Sequence, residues 1–291
     1  MTLRLIYLPA LLAVAALASG CDVRVGENGV SLDVARGKAV DEWTKTYTVT
    51  PCGTVEVVNV DGPIVVEPAT GPQVEIRATR VAKAKSDEEA RELLKMVEVR
   101  ENVAPARIAI QTVSGGGRTF SRRSVHVEYR VRIPAGVQVS LKTENGGIGL
   151  YDVNATVAAA TTNGGVRGTN VSGAVSAHVV NGGIVMDMAR AAGPIDLETV
   201  NGSIRLDIAP DLNANIEAEA VNGVVSPDDG LKVETSNRSH TRIAGKLNGG
   251  GPRISARTVN GGVRLRVRDG SVSRDAEGGN EAGEVALEQG R

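Results

Sequence analysis

The sequence predicts an all-β chain folded as a β-solenoid, a parallel β-helix-like stack of rungs of about 18 to 20 residues with one short N-terminal edge helix. Three observations carry that expectation. Between Val139 and Val267 one phrase returns seven times, as TENGG, TTNGG, VVNGG, TVNGS, AVNGV, ETSNRS and TVNGG. Its anchors, Asn145, Asn163, Asn181, Asn201, Asn222, Asn237 and Asn260, stand 18, 18, 20, 21, 15 and 23 residues apart, a spacing typical of stacked structural units. Apolar residues precede each Asn in steps of two, beginning six before it at Val139, Val157, Val175, Ile195, Ile216, Leu231 and Ile254. After the glycines they resume at Ile148, Val166, Ile184, Ile204, Val225 and Val263, with His240 at that place after Asn237. A period of two belongs to a strand with one dry face and one wet face. Second turn signals near 152–154, 170–173 and 192–194 give such a unit two strands and two corners.

Parity places every anchor Asn on the apolar side of its strand. There the amides of successive rungs would stack as a hydrogen-bonded ladder along a dry, narrow interior. Ala159, Ala177, Ala218 and Ala256, each four before an Asn, predict that the interior is thin. The alternative is an antiparallel β-meander or sandwich, because Asn-Gly also favours two-residue hairpin turns and gives the same parity.

Residues 1–20 read as a targeting segment, with Arg4 ahead of an apolar run from Leu5 to Ala18. Ala18-Ser19-Gly20-Cys21 resembles the lipobox of bacterial lipoproteins, which implies that Cys21 is the lipidated first residue of the mature chain. Asp22 behind it resembles a signal for retention at the inner membrane. Residues 21–43 read as a tether, and the β-repeat domain spans 44–267. Val55, Val57 and Asn59, followed by Gly62 and Ile64, form a diverged first copy of the repeat. The one good helix follows. Ser86 and Glu89 form a capping box ahead of the apolar stripe Ala90, Leu93, Leu94 and Val97. It should cover the sheet edge at the start of the array.

Two more strands flank a loop that carries Arg118, Arg122 and Arg123, a candidate contact for an anionic glycan, headgroup or polymer. Arg264, Arg266 and Arg268 close the last unit with charge, as a terminal rung requires. Residues 268–291 are Gly- and Glu-rich with little apolar content and read as a disordered acidic tail.

Composition narrows the function. A net charge of −1 gives no drive toward nucleic acid, and one Trp, one Phe and four Tyr leave few faces on which bases or sugars could stack. His126, His178 and His240 share no ligand-like spacing with each other or with Cys52, so neither a metal nor another cofactor is expected. Parallel β-helices do host polysaccharide lyases, but Asp187, Asp196 and Asp207 alternate with apolar residues as on any exposed strand.

With the helix, the passage RVRIPAGVQVSLKTENGGI and the TVNG-type repeats in view, the chain resembles a bacterial β-strand-repeat family described as candidate adhesins of unknown function. The resemblance covers about 44–267, and Gly147, Gly165 and Gly183 fit the family's residue after Asn-Gly. It implies cell-surface binding and assigns no catalytic residue. The expected function is therefore a non-catalytic, lipid-anchored, adhesin-like scaffold of the bacterial envelope. Its partners would be the membrane, through the N-terminal lipid, and an envelope protein or glycan. An envelope-stress sensor and a polysaccharide lyase or hydrolase are the alternatives.

Overall fold

The computed structural model describes residues 21–26, 29–34, 37–114 and 125–268, with side chains from residue 37 onward. β1 (Cys21–Gly26) and β2 (Gly29–Val34) pair antiparallel as a small separate sheet. The domain begins with β3 (Gly37–Tyr47), β4 (Thr54–Val58), β5 (Ile64–Pro68) and β6 (Val74–Ala84). Then come α1 (Asp87–Lys95), β7 (Val97–Ala104), β8 (Arg107–Ser114) and β9 (Val125–Ile133). The repeats supply strand pairs: β10 (Gln138–Asn145) with β11 (Ile148–Tyr151), and β12 (Val157–Asn163) with β13 (Val166–Val171). β14 (Val175–Asn181) goes with β15 (Ile184–Met188), and β16 (Ile195–Asn201) with β17 (Ile204–Ile208). β18 (Ala214–Asn222) with β19 (Val225–Pro227), the hairpin β20 (Val233–Arg238) and β21 (Arg242–Leu247), and β22 (Arg253–Asn260) with β23 (Val263–Val267) complete the chain.

These strands form two facing sheets, and eight rungs each contribute one strand to both. Sheet I runs β20-β21-β18-β22-β16-β14-β12-β10-β4-β8-β7, and sheet II runs β19-β23-β17-β15-β13-β11-β5-β9-β6-β3. Between rungs the pairing is parallel, with Val139 opposite Val157, Val157 opposite Val175 and Val175 opposite Ile195. The protein is thus a β-solenoid. Antiparallel pairing, the alternative expectation, is confined to its two ends and to β1–β2.

The core is aliphatic and lies between the sheets. Val139, Leu141, Val157, Ala159 and Ala177 face it from sheet I, and Ile148, Leu150, Ile184, Met186 and Ile204 face it from sheet II. The interior is filled across rungs. At Gly168 a Cβ would fall 2.1 Å from the sulfur of Met186, so the long side chain of one rung occupies the space that glycine leaves in the next. Such contacts repeat along the axis, so each rung is stabilised by its neighbours.

Spatial order departs from chain order at both ends. The rung β22/β23 is inserted between β16/β17 and β18/β19, so the fifth Asn-Gly unit in space is the last in sequence. At the other end β4/β5 lies between β8/β9 and β10/β11. Arg264, Arg266 and Arg268 therefore do not close the array as expected. Their rung is internal, and Arg268 reaches back to Asp187 with Nε 2.8 Å from Oδ1. A charged outward face suits any rung, so the sequence pattern could not tell an end from a middle.

Two more expectations shift. The tether assigned to 21–43 ends earlier: from Gly37 the chain is in β3, paired with β6 along its whole length. Alternating Ala39 and Tyr47 inward among polar residues is too sparse an apolar signal to announce a strand. The helix begins where capping predicts, with Glu89 N donating to Ser86 Oγ at 3.2 Å. It buries Ala90, Leu93 and Leu94 against Ala39, Ala82 and Ala84, a small second core laid over β3 and β6. Val97, expected in that stripe, instead opens β7 and joins the main core.

Candidate functional site

The Asn-Gly corner builds three parallel columns along the solenoid. Asn163 Nδ2 donates to Asn145 Oδ1 at 2.9 Å, Asn181 to Asn163 at 3.0 Å, and Asn201 to Asn181 at 2.9 Å. The inserted rung continues the series, with Asn260 donating to Asn201 at 2.8 Å and Asn222 to Asn260 at 3.0 Å. At the N-terminal end Asn145 donates to Asp61 Oδ1 at 2.7 Å. Every donor points the same way, toward Asp61, so a carboxylate sits where an aligned column of N–H dipoles most favours negative charge.

Two features of the expected ladder are corrected. Asn237 is not in it: β20 is antiparallel to β21, Asn237 faces Ala244, and ETSNRS forms a hairpin rather than a rung. That unit lacks the Asn-Gly step, and without the glycine the corner cannot be made. Nor is the ladder dry, because all six of its amides are exposed. The pairing passes from Thr143–Thr161 directly to Asn145–Asn163, and the residue between is left out of register. Alternation breaks there, two successive residues face solvent, and strict parity no longer predicts the side.

Glycine and threonine make the second column. A Cβ at Gly164 would lie 2.1 Å from Gly146 O, at Gly182 2.0 Å from Gly164 O, and at Gly202 1.9 Å from Gly182 O. Only glycine permits that approach. Buried Thr143, Thr161, Thr199 and Thr258 donate Oγ1 to the carbonyls of Gly62, Gly146, Gly182 and Gly202 at 2.8 to 3.1 Å. In the first rung the register puts Asn59, not Asp61, at the threonine position, and Asn59 is 1% exposed. Its Nδ2 donates to Val127 O at 2.7 Å and its Oδ1 accepts from Thr112 Oγ1 at 2.9 Å, while Tyr129 joins through Thr112 at 2.7 Å. Burial pushes the Tyr129 hydroxyl up to about 12.

The third column is apolar and faces water. Val180, Val200, Val259 and Val221, each immediately before its Asn, are 43%, 41%, 40% and 62% exposed and neighbour one another in that order on sheet I. Sequence reasoning passed over them, although the V of VVNG, TVNG and AVNG was the signal. They border a groove of about 490 Å³ that reaches from Lys142 to Glu219 across six rungs, or about 24 Å at the usual strand spacing. Its polar side is largely self-neutralised. His178 Nδ1 lies 3.1 Å from Glu198, and Arg257 lies 3.9 Å from both Glu198 and Glu219.

Arg118, Arg122 and Arg123 lie outside the described residues, as does the 1–20 segment. Ser114 ends β8 and Val125 begins β9 on either side of these arginines. Cys52 is exposed, in left-handed backbone (φ 63°). Among the described residues no group of three His, Cys, Asp or Glu could hold a metal ion, and no helix is long and apolar enough to cross a membrane.

Residues 124–266 match the model of the Toastrack family, DUF4097. The repeat region is thus similar to the Toastrack family. The matched stretch runs from β9 to β23 and takes in all six ladder amides. Similar solved structures include a candidate cell adhesion protein from Clostridium sporogenes, 11% identical over 78% of this chain and 100% of that one, with a TM-score of 0.46. A candidate adhesin from Bacteroides fragilis is 11% identical, covering 78% and 97%, with a TM-score of 0.27. A candidate lipid binding protein from Parabacteroides distasonis is 10% identical, covering 77% and 96%, with a TM-score of 0.29. The comparison with curated proteins finds no match. What this chain does must be read from its own side chains.

Proposed function

We propose that the protein is a non-catalytic, adhesin-like scaffold of the bacterial envelope, anchored through a lipid on Cys21, that holds a protein partner along the valine column of sheet I. The observation that carries this reading is the column itself. Four valines open to water in one line are more contiguous apolar surface than scattered exposure leaves on a monomer. Arg257 already engages Glu198 and Glu219 beside them, so much of the free energy still to be gained at this face is hydrophobic. Charge of mixed sign also suits a polypeptide segment better than a polyanion.

The double variant Val200→Glu/Val259→Glu tests the reading, with Arg167→Glu on the outer face of sheet II as control. Both valines point outward, so urea unfolding should change little. Immobilised wild type and control should retain an envelope protein that the groove variant releases, with affinity reduced at least tenfold. Equal retention by all three removes the groove from the function. Binding of lipid vesicles alone would replace the protein partner with an acyl chain. Separately, Cys21→Ser should move the chain from the membrane to the soluble fraction; unchanged fractionation removes the anchor.

A further inference from the structure

The ladder contains six Asn-Gly steps, the sequence most prone to spontaneous deamidation because the glycine nitrogen meets little steric hindrance in reaching the side-chain carbonyl carbon. Five of the six are locked in three ways. Each amide donates to one neighbour and accepts from the other, and the nitrogen that would attack is itself engaged. Gly146 N donates to Asn163 O at 2.8 Å, while Gly164, Gly182 and Gly202 donate to the Asn carbonyl of the next rung at 2.9 Å. Gly261 N does the same to Asn222 O at 3.2 Å.

Asn222 is the exception. It ends the column, so no further amide donates to its Oδ1, and Gly223 N has no acceptor among the described residues because β21 next to β18 runs antiparallel and supplies no Asn corner. Among the described residues only the bond from its Nδ2 to Asn260 holds the side chain, and the residue is exposed.

We propose that Asn222–Gly223 is a modification site set by the fold, where the stack deamidates while its other five Asn-Gly steps are protected. Gly223 N attacks Asn222 Cγ and forms the new C–N bond. The bond from Cγ to the amide nitrogen breaks, and that nitrogen leaves as ammonia with the proton from Gly223. The resulting succinimide takes up one water and opens at either carbonyl, leaving aspartate or isoaspartate at 222. No oxidant or reductant takes part.

Direction makes the change consequential. A carboxylate is accommodated at Asp61 because a donor points at it, but at 222 it would face Asn260 Oδ1, acceptor against acceptor. The last link of the ladder opens, and the new charge appears one residue from Val221 at the end of the valine column.

The test is peptide mapping by mass spectrometry of the full mature chain during incubation in mildly alkaline buffer, folded and in urea. Folded, Asn222 should convert at least tenfold faster than Asn145, Asn163, Asn181, Asn201 and Asn260; in urea the six should converge. Asn248, whose Nδ2 is held by the carbonyls of Pro210 and Leu212 at 2.9 and 3.0 Å, is followed alongside as an Asn-Gly outside the ladder. Equal rates among the six in the folded chain would overturn the proposal. So would a preference for Asn222 that persists in urea, since local sequence and not the ladder would then be its cause.

Discussion

The side-chain amide of Asn260 donates to that of Asn201 at 2.8 Å, across 59 residues of chain that contain a further rung and a hairpin. The last repeat in sequence is thus threaded between two earlier ones. A solenoid whose rungs simply followed one another could be trimmed from its end. This one is closed by a unit that stabilises both neighbours.

A chain ended just before Arg253 should therefore lose more than its final rung. Ile216 and Ala218 on β18 would face the gap left by Ile254 and Ala256. We expect protease cleavage within 210–250 and a broadened, less cooperative urea transition. A sharp transition with that region protected would show that β18 can dock on β16 directly.

The ladder itself should be worth little per link because it is exposed. Asn201→Ala removes two amide–amide bonds and should cost about 0.5–1 kcal/mol in urea unfolding, whereas Asn237→Ala should cost about nothing. Equal effects at the two sites would contradict the corrected ladder.

The buried threonines should matter more. Thr199→Val leaves Gly182 O without its 2.8 Å side-chain donor and should destabilise by about 1–2 kcal/mol. Val179 occupies the same register position with no hydroxyl, so Val179→Thr aims a donor at Gly164 O and should be neutral or mildly stabilising. Thermal unfolding of the two variants distinguishes the outcomes.

Glycine at the corner is required for contact as well as for conformation. Gly182→Ala would set a Cβ 2.0 Å from Gly164 O at φ 146° and should cost upward of about 3 kcal/mol, or abolish folding. Gly136, at φ 82° with open space around it, should lose only about 1–2 kcal/mol on the same change, from backbone strain alone. Soluble yield and urea midpoints of the two variants give the comparison.

Acid should weaken both ends of the domain. A hydrogen bond from Arg253, assisted by Arg257 and Arg242, holds the Glu217 carboxyl below its usual range, and hydrogen bonds from Lys45 and Tyr47 do the same for Glu101. A carboxylate with a depressed folded pKa contributes stability that is present above the unfolded value, about 4.3, and is lost as pH falls through the folded one. Urea midpoints should hold from neutral pH to near that value and then decline. Glu217→Gln should shallow the decline; an unaltered acid limb would assign it to other groups.

Local chemistry was legible where one rung repeats another. Period-two apolar positions, corner glycines and the helix cap each follow from a residue's immediate neighbours, and the structure places Val139, Ile148 and Ser86 as those rules require. The valine column was equally present in the phrase but hidden by parity, since a bent corner exposes two successive residues where a straight strand exposes one.

The sequence by itself determined that this chain stacks rungs, because a strand that buries alternate Val and Ile needs a like neighbour, and a corner as tight as Asn-Gly admits few other residues. It could not determine which rung lies beside which. Equivalent units present nearly the same edge, so their order is decided by the hairpin β20–β21 and by the chain crossings at both ends, contacts between segments far apart in sequence. Only the tertiary structure decided that Asp61 and Asn222 are the ends of the amide column, and that distinction gives one Asn-Gly step a chemistry the other five do not share.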